Sequence, residues 1–177
     1  MRWNLGKVVV ECVQGDITQQ PEVDAIVNAA NAELSPGGGV SGAIHRAAGP
    51  LLAQESMRLG PLRPGQAVLT QGYRLPNRWV IHCLGPVYGH DKPEDQLLSS
   101  CYQNALKLAE EKGLESVAFP AISTGIFGYP VREAAQVVAR TFQSLAPRLK
   151  TVKHIRMVLF GKSDLDIHVE EFNRYFC

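Results

Sequence analysis

Two glycine-rich segments have the residue types and the setting to hold phosphate: Gly37-Gly38-Gly39-Val40-Ser41-Gly42 and Ser123-Thr124-Gly125-Ile126-Phe127-Gly128. Each follows an apolar run and leads into a helical pattern. A glycine turn that opens a helix gathers unpaired backbone N–H groups at a positive dipole end, which suits an anion. The two turns lie far apart in the chain but occupy equivalent places in a strand–turn–helix pattern. Together they imply a ligand with two phosphates gripped from both sides.

Two familiar nucleotide motifs do not account for them. Gly37-x-Gly39-x-x-Gly42 has the spacing of the dinucleotide fingerprint, but residues 31–36 stand between the strand and the first glycine. The acid at the right distance, Glu55, falls in a helical pattern instead of at the end of a second strand. Gly125 lacks the Lys-Ser that a Walker loop requires. Ser41 and His45, four residues apart, share a helix face, so an imidazole could serve a hydroxyl as base. No third group is evident to orient the ring, and the sequence around Ser41 is not a G-x-S-x-G elbow. His82 lies mid-strand and reads as structural. The five histidines have no ligand spacing with Cys, Asp or Glu, so neither a metal nor a cofactor is expected.

These residues must be positioned by a fold of 177 residues, one domain's length and enough for a substantial core. An apolar fraction of 45% excludes disordered and fibrous classes. The net charge of +1 argues against a polyanion-binding surface, and Arg148, Lys150, Lys153 and Arg156 read as a solvated basic face. Neither a membrane span nor a signal-peptide hydrophobic region is evident, which points to the cytoplasm. Cys12, Cys83, Cys101 and Cys177 form no C-x-x-C pair; Cys12 and Cys83 read as small buried side chains.

Apolar runs rich in Val and Ile at residues 7–13, 24–29, 67–70, 79–84, 116–119 and 155–160 predict strands. Helical spacing predicts one helix through Val40, Ile44, Ala48 and Leu52, and a second through Leu97, Tyr102 and Ala109, closed by Gly113. A third carries Pro130 at its first position, and a last runs from about Leu165 to Tyr175. Alternating strands and helices predict an α/β sheet covered on both faces. The turn at residues 72–77 predicts a hairpin, hence a mixed, mostly parallel sheet. No linker divides the chain, so residues 1–177 read as a single domain. In such a sheet, ligands bind outside the carboxyl ends of the strands, where both glycine turns, Asp16 and Phe160 fall.

Several local pieces, taken in order, are distinctive. They are Gly15-Asp16-Ile17-Thr18, Val27-Asn28-Ala29-Ala30-Asn31, the first glycine turn running on through His45 to Gly49, Val80-Ile81-His82 with Gly85-Pro86, and Phe119-Pro120-Ala121-Ile122 with the second turn and Tyr129-Pro130. From about Val10 to Phe160 the chain resembles the macrodomain family, in particular its MacroD-type branch, which includes bacterial O-acetyl-ADP-ribose deacetylases. The resemblance implies a three-layer α/β/α macrodomain with ADP-ribose as ligand. Asp16 then matches the acid that accepts from the adenine amino group, with the Ile17 backbone at the ring edge and Phe160 against the adenine face. Asn31 matches the asparagine at the distal ribose, and Phe127 its wall. Gly39 and Val40, with Ser123, Thr124, Gly125 and Ile126, would cradle the diphosphate through main-chain N–H groups. Each position also has a plainer reading: Asp16 shaping a turn with Thr18, Asn31 as a loop residue, Phe160 as strand-end core.

One position departs from the pattern. The hydrolytic branch reads Gly-Gly-Gly-Val-Asp-Gly, and this chain has Ser41 where the aspartate stands. A serine cannot serve as a general base near neutral pH, although its hydroxyl can cap the helix, orient water or bond a ribose hydroxyl. Two functions therefore follow from the resemblance. One is a metal-independent ADP-ribosyl hydrolase, acting on O-acetyl-ADP-ribose or ADP-ribosylated acidic side chains, with Asn31 and Ser41 at the catalytic positions. The other is a reader module that binds ADP-ribose without chemistry. ADP-ribose or an ADP-ribosylated protein is the implied partner; membrane and nucleic acid are not expected.

Overall fold

The computed structural model describes residues 1–177. Seven strands form one sheet: β1 (Arg2–Leu5), β2 (Val8–Gln14), β3 (Ala25–Ala29), β4 (Ala67–Gln71), β5 (Trp79–Cys83), β6 (Ser116–Phe119) and β7 (His154–Leu159). Their order across the sheet is β1-β2-β7-β6-β3-β5-β4. The five inner strands run parallel, and β1 and β4 run antiparallel at the two edges. Five α-helices connect them: α1 (Gly39–Ala48), α2 (Pro50–Ser56), α3 (Glu94–Glu111), α4 (Val131–Leu145) and α5 (Lys162–Phe176). No helix is long and apolar enough to cross a membrane.

The inner strands are mainly apolar because both faces are covered, with single polar residues such as Glu11, Asn28, His82 and Arg156 set among them. Successive side chains alternate between two cores. Ala25 and Val27, Ile81 and Cys83, and Val117 and Phe119 face the larger core, which includes apolar residues of α3, α4 and α5. Ile26, Val80 and Ala118 face the smaller one, under α1 and α2. Cys12, Cys83 and Cys101 are buried, and burial pushes the Cys12 and Cys101 thiols up to about 12, so they stay protonated.

Four expectations change. Residues 2–5 form an edge strand that composition did not reveal; Trp3 anchors it, packing against Phe172 and donating its indole N–H to Asn173 at 2.9 Å. The single helix expected from Val40 to Leu52 breaks in two at Gly49, because a residue before proline is driven out of the α region and Pro50 opens a new helix. Pro130 is extended (ψ 130°) and precedes the first turn of α4 instead of occupying it. Arg156 leaves the solvated basic face: it is buried and paired with Glu11 and Glu22.

Candidate functional site

Adjacent parallel strands deliver their carboxyl ends to one rim. Asp16 follows β2, Phe160 follows β7, the second glycine turn follows β6, Asn31 and the first turn follow β3, and Gly85 follows β5. A cleft of about 300 Å³ opens there, lined by Asn31, Gly37–Ser41 of the first turn, Gly85, Ser123 and Gly125–Phe127. The two turns thus face one cleft although more than 80 residues separate them.

Main-chain donors dominate the cleft chemistry. In the first turn the N–H groups of Gly39, Val40 and Ser41 make no intramolecular hydrogen bond, as expected for the opening of a helix. In the second, the N–H groups of Ser123, Gly125, Ile126 and Phe127 are equally free, whereas that of Thr124 is spent on Ala121 O at 3.3 Å. Thr124 does not line the cleft, so it is the one member of the expected cradle that faces elsewhere. Seven unpaired amides at two loop–helix entrances make an array of donors of the kind that suits an anion.

Close packing shapes both turns. A Cβ on Gly42 would lie 2.5 Å from Gly37 O, so α1 can begin this tightly under the turn only without a side chain there. Gly85 gives the same clearance to the second turn, since a Cβ would overlap Ser123 Oγ and Ile122. Ser123 is held at φ +70°, a strained conformation for a non-glycine residue, with its hydroxyl buried against Gly85 and without a partner. The sequence pattern assigns Gly85 no role; the signal it carries is a glycine directly after a buried strand at this rim.

Ser41 is the third residue of α1, and its buried Oγ makes no hydrogen bond. It does not cap the helix, since Gly38 occupies that position. His45, one turn on, is buried with both ring nitrogens unpartnered, so no Ser–His dyad forms. Burial lowers its pKa. The His82 ring lies 6.5 Å from that of His45, between Asn28 (Nδ2 to Nδ1, 3.1 Å) and Thr70 (Oγ1 to Nε2, 2.9 Å). Burial, with a smaller contribution from His45, takes its pKa down to about 3. His82 is thus a buried neutral ring held between two side chains.

Asn31 lines the cleft but spends its amide on the loop: Oδ1 accepts from Ser35 N–H at 3.0 Å and Nδ2 donates to Ser35 O at 3.1 Å. Phe127 packs against a small cluster of Ala30, Leu34, Leu62 and Leu84. Ile126 is 96% exposed at the tip of its turn.

Asp16, Ile17 and Phe160 lie outside this cleft, farther along the rim. Gly15 N–H donates to Leu159 O at 2.9 Å, which sets Asp16 beside Phe160. One carboxylate oxygen of Asp16 accepts from Thr18 N–H and Oγ1, at 2.8 and 2.7 Å, and the other is free. Asp16 therefore shapes the turn and keeps an acceptor. Ile17 buries its side chain while its N–H stays unpaired. Phe160 is 87% exposed, so it does not belong to the strand-end core. An acid, a free amide and an exposed aromatic ring together suit a heterocyclic base. No group of three or more His, Cys, Asp or Glu is placed to hold a metal ion.

A family model for the Macro domain matches residues 27–138. The chain is 46% identical, over 89% of its length and 93% of the relative's, to a protein of Klebsiella pneumoniae named O-acetyl-ADP-ribose deacetylase. It is 45% identical, over 94% of its length and 40% of the relative's, to the ADP-ribose glycohydrolase MACROD2 of Xenopus laevis. A variant of the Oceanobacillus iheyensis macrodomain, solved with ADPR, superimposes with a TM-score of 0.93 at 36% identity, covering 98% of this chain and 97% of that one. This chain belongs to the macro domain family, and its sheet and helices have that family's α/β fold.

Proposed function

We propose that this protein binds ADP-ribose along the rim and hydrolyses ADP-ribosyl esters, O-acetyl-ADP-ribose or ADP-ribosylated acidic side chains, without a metal. The observation that carries the reading is the convergence of unpaired amides from both glycine turns on one cleft. Gly39, Val40, Ser123, Gly125 and Ile126 bind the diphosphate. The adenosine lies toward Asp16, Ile17 and Phe160, with the free carboxylate oxygen of Asp16 accepting from the adenine amino group. Asn31, Ser41 and Phe127 surround the distal ribose, where the ester bond is cleaved. Relatives named as a deacetylase and as a glycohydrolase support that chemistry at the level of the family.

At the reacting end, water attacks the ester. Ser41 Oγ, buried and without a protein partner, orients that water or a ribose hydroxyl; as the new C–O bond forms the ester C–O bond breaks, and the proton that the ligand's own phosphate takes from the water passes to the departing oxygen. General-base assistance is worth about 10²–10⁴ in rate, roughly 3–5 kcal/mol, so a serine at this position leaves a slow enzyme and not an inert one. The same feature favours a second reading, a reader module that binds ADP-ribose and does not turn it over.

Calorimetry with ADP-ribose, beside initial rates on O-acetyl-ADP-ribose, tests both. Gly125 has open space around its Cβ position, so Gly125→Glu leaves the fold intact while placing bulk and negative charge against the diphosphate. Loss of binding in the folded variant is expected; near-wild-type affinity would refute the cradle. Binding without turnover would establish the reader.

A further inference from the structure

The turn that carries Asp16 is tied into a buried ionic network that none of the roles above requires. Arg156 on β7 donates from Nε to Glu11 Oε1 on β2 at 2.6 Å and from Nη1 to Gln20 Oε1 and Glu22 Oε1, both at 2.8 Å. Glu11 also meets His154 Nε2 at 2.6 Å. Burial pushes the Glu11 carboxyl up, but the bonds and charges of Arg156 and His154 outweigh it and hold the carboxyl below its usual range. Gln20 is the outlet of the network. Its Nε2 donates to the main-chain carbonyl of Asp16 at 2.9 Å, and its own carbonyl accepts from Asn77 Nδ2 at 2.7 Å. Gln20, Arg156, Glu11 and Asn77 are all buried.

The consequence is directional. A fork of guanidinium N–H groups held by two carboxylates orients the Gln20 amide, with its oxygen toward Arg156 and its nitrogen toward Asp16. That nitrogen and the Gln19 N–H, the latter at 3.0 Å, both bond the Asp16 carbonyl, while Thr18 occupies one side-chain oxygen and the second has no partner. Asp16 is exposed, and these contacts fix the turn from which its carboxylate projects.

We propose that Gln20, oriented by Arg156, is a positioning residue that presents Asp16 to the 6-position of the purine and so sets the preference for adenine. The proposal rests on the reading that Asp16 accepts from the adenine amino group. A carboxylate rewards a 6-amino donor and repels a 6-oxo acceptor, and discrimination of this kind depends on the placement of the acceptor.

The test compares dissociation constants of the full chain for ADP-ribose and for its analogue with hypoxanthine in place of adenine. The wild type should prefer ADP-ribose by about tenfold to hundredfold, the scale of a hydrogen bond to a charged group. Gln20→Met keeps the volume and removes both polar contacts. Gln20→Glu keeps an acceptor for Arg156 and removes the donor to Asp16. Either variant should bring the preference within about threefold, with affinity for the hypoxanthine analogue little changed. A uniform loss on both ligands, leaving the ratio as in the wild type, would mean a merely structural role and overturn the proposal. So would an unaltered ratio in whichever variant melts near the wild-type temperature. Asp16→Ala separates the two levels: if it abolishes the preference and the Gln20 variants do not, only the positioning role fails. If it leaves the preference intact, the assignment of Asp16 fails first.

Discussion

Lowering the pH should destabilise this protein through His82 well before the carboxylates titrate. The ring is fully buried, its Nδ1 faces an amide nitrogen of Asn28, and burial takes its pKa from an ordinary 6.5 to about 3. The folded state therefore binds fewer protons than the unfolded chain between these two values. The stability this represents is fully present above pH 6.5 and is lost as pH falls toward 3. At pH 5 the unfolded histidine is almost wholly protonated and the folded one almost wholly neutral. The difference amounts to about 2 kcal/mol relative to pH 8, at 1.36 kcal/mol per pH unit. His45 and His168, whose pKa values burial also lowers, add to the slope in the same direction. Comparison with His82→Gln isolates the single ring. Urea unfolding followed by circular dichroism gives the stability of both proteins at pH 8 and at pH 5. The advantage of the wild type at pH 8 should shrink by about 2 kcal/mol at pH 5. A gap that stays constant across this range would show that the ring is hydrated or paired in the folded state, and the argument from burial would fall.

Other perturbations address the turns and the reacting end. Ser41→Asp restores a carboxylate facing the cleft and should raise turnover of O-acetyl-ADP-ribose by about 10²-fold or more, the span of general-base assistance; an unchanged initial rate would remove the weight placed on this position. Gly42→Ala forces a methyl group to 2.5 Å from the Gly37 carbonyl oxygen, a backbone atom that cannot swing aside. It should lower stability by about 1–3 kcal/mol and weaken ADP-ribose binding, with an unaltered Tm as the result that contradicts the packing argument.

The inner sheet was legible in the sequence because strands covered on both faces are rich in apolar residues, as residues 25–27 and 117–119 are. The carboxyl rim followed from that topology, and with it the meeting of the two glycine turns. Residues 2–5 were missed because an edge strand with one anchoring side chain, Trp3, leaves almost no periodic signal. The break at Gly49 was masked by helical spacing that continues in phase through Pro50 to Leu52. Arg156 was read as solvent-facing from its charged neighbours. Its partners Glu11, Gln20 and Glu22 come from the neighbouring strand β2 and the loop that follows it, more than 130 residues away in sequence, and no local window contains them. The unpartnered Ser41 hydroxyl was illegible for a related reason, because a serine near a helix start ordinarily reads as a cap, whereas Gly38 takes that place in the fold.

The rim draws on five stretches of chain that sequence keeps apart, from the segment after β2 to the one after β7, and few covalent neighbours hold them in mutual register. A molecule spanning that rim fastens all five at once, so it acts as a brace on the open end of the sheet. Local fraying of any one loop would then require releasing the whole ligand. Occupancy should therefore be felt as resistance to partial opening in loops that never touch one another.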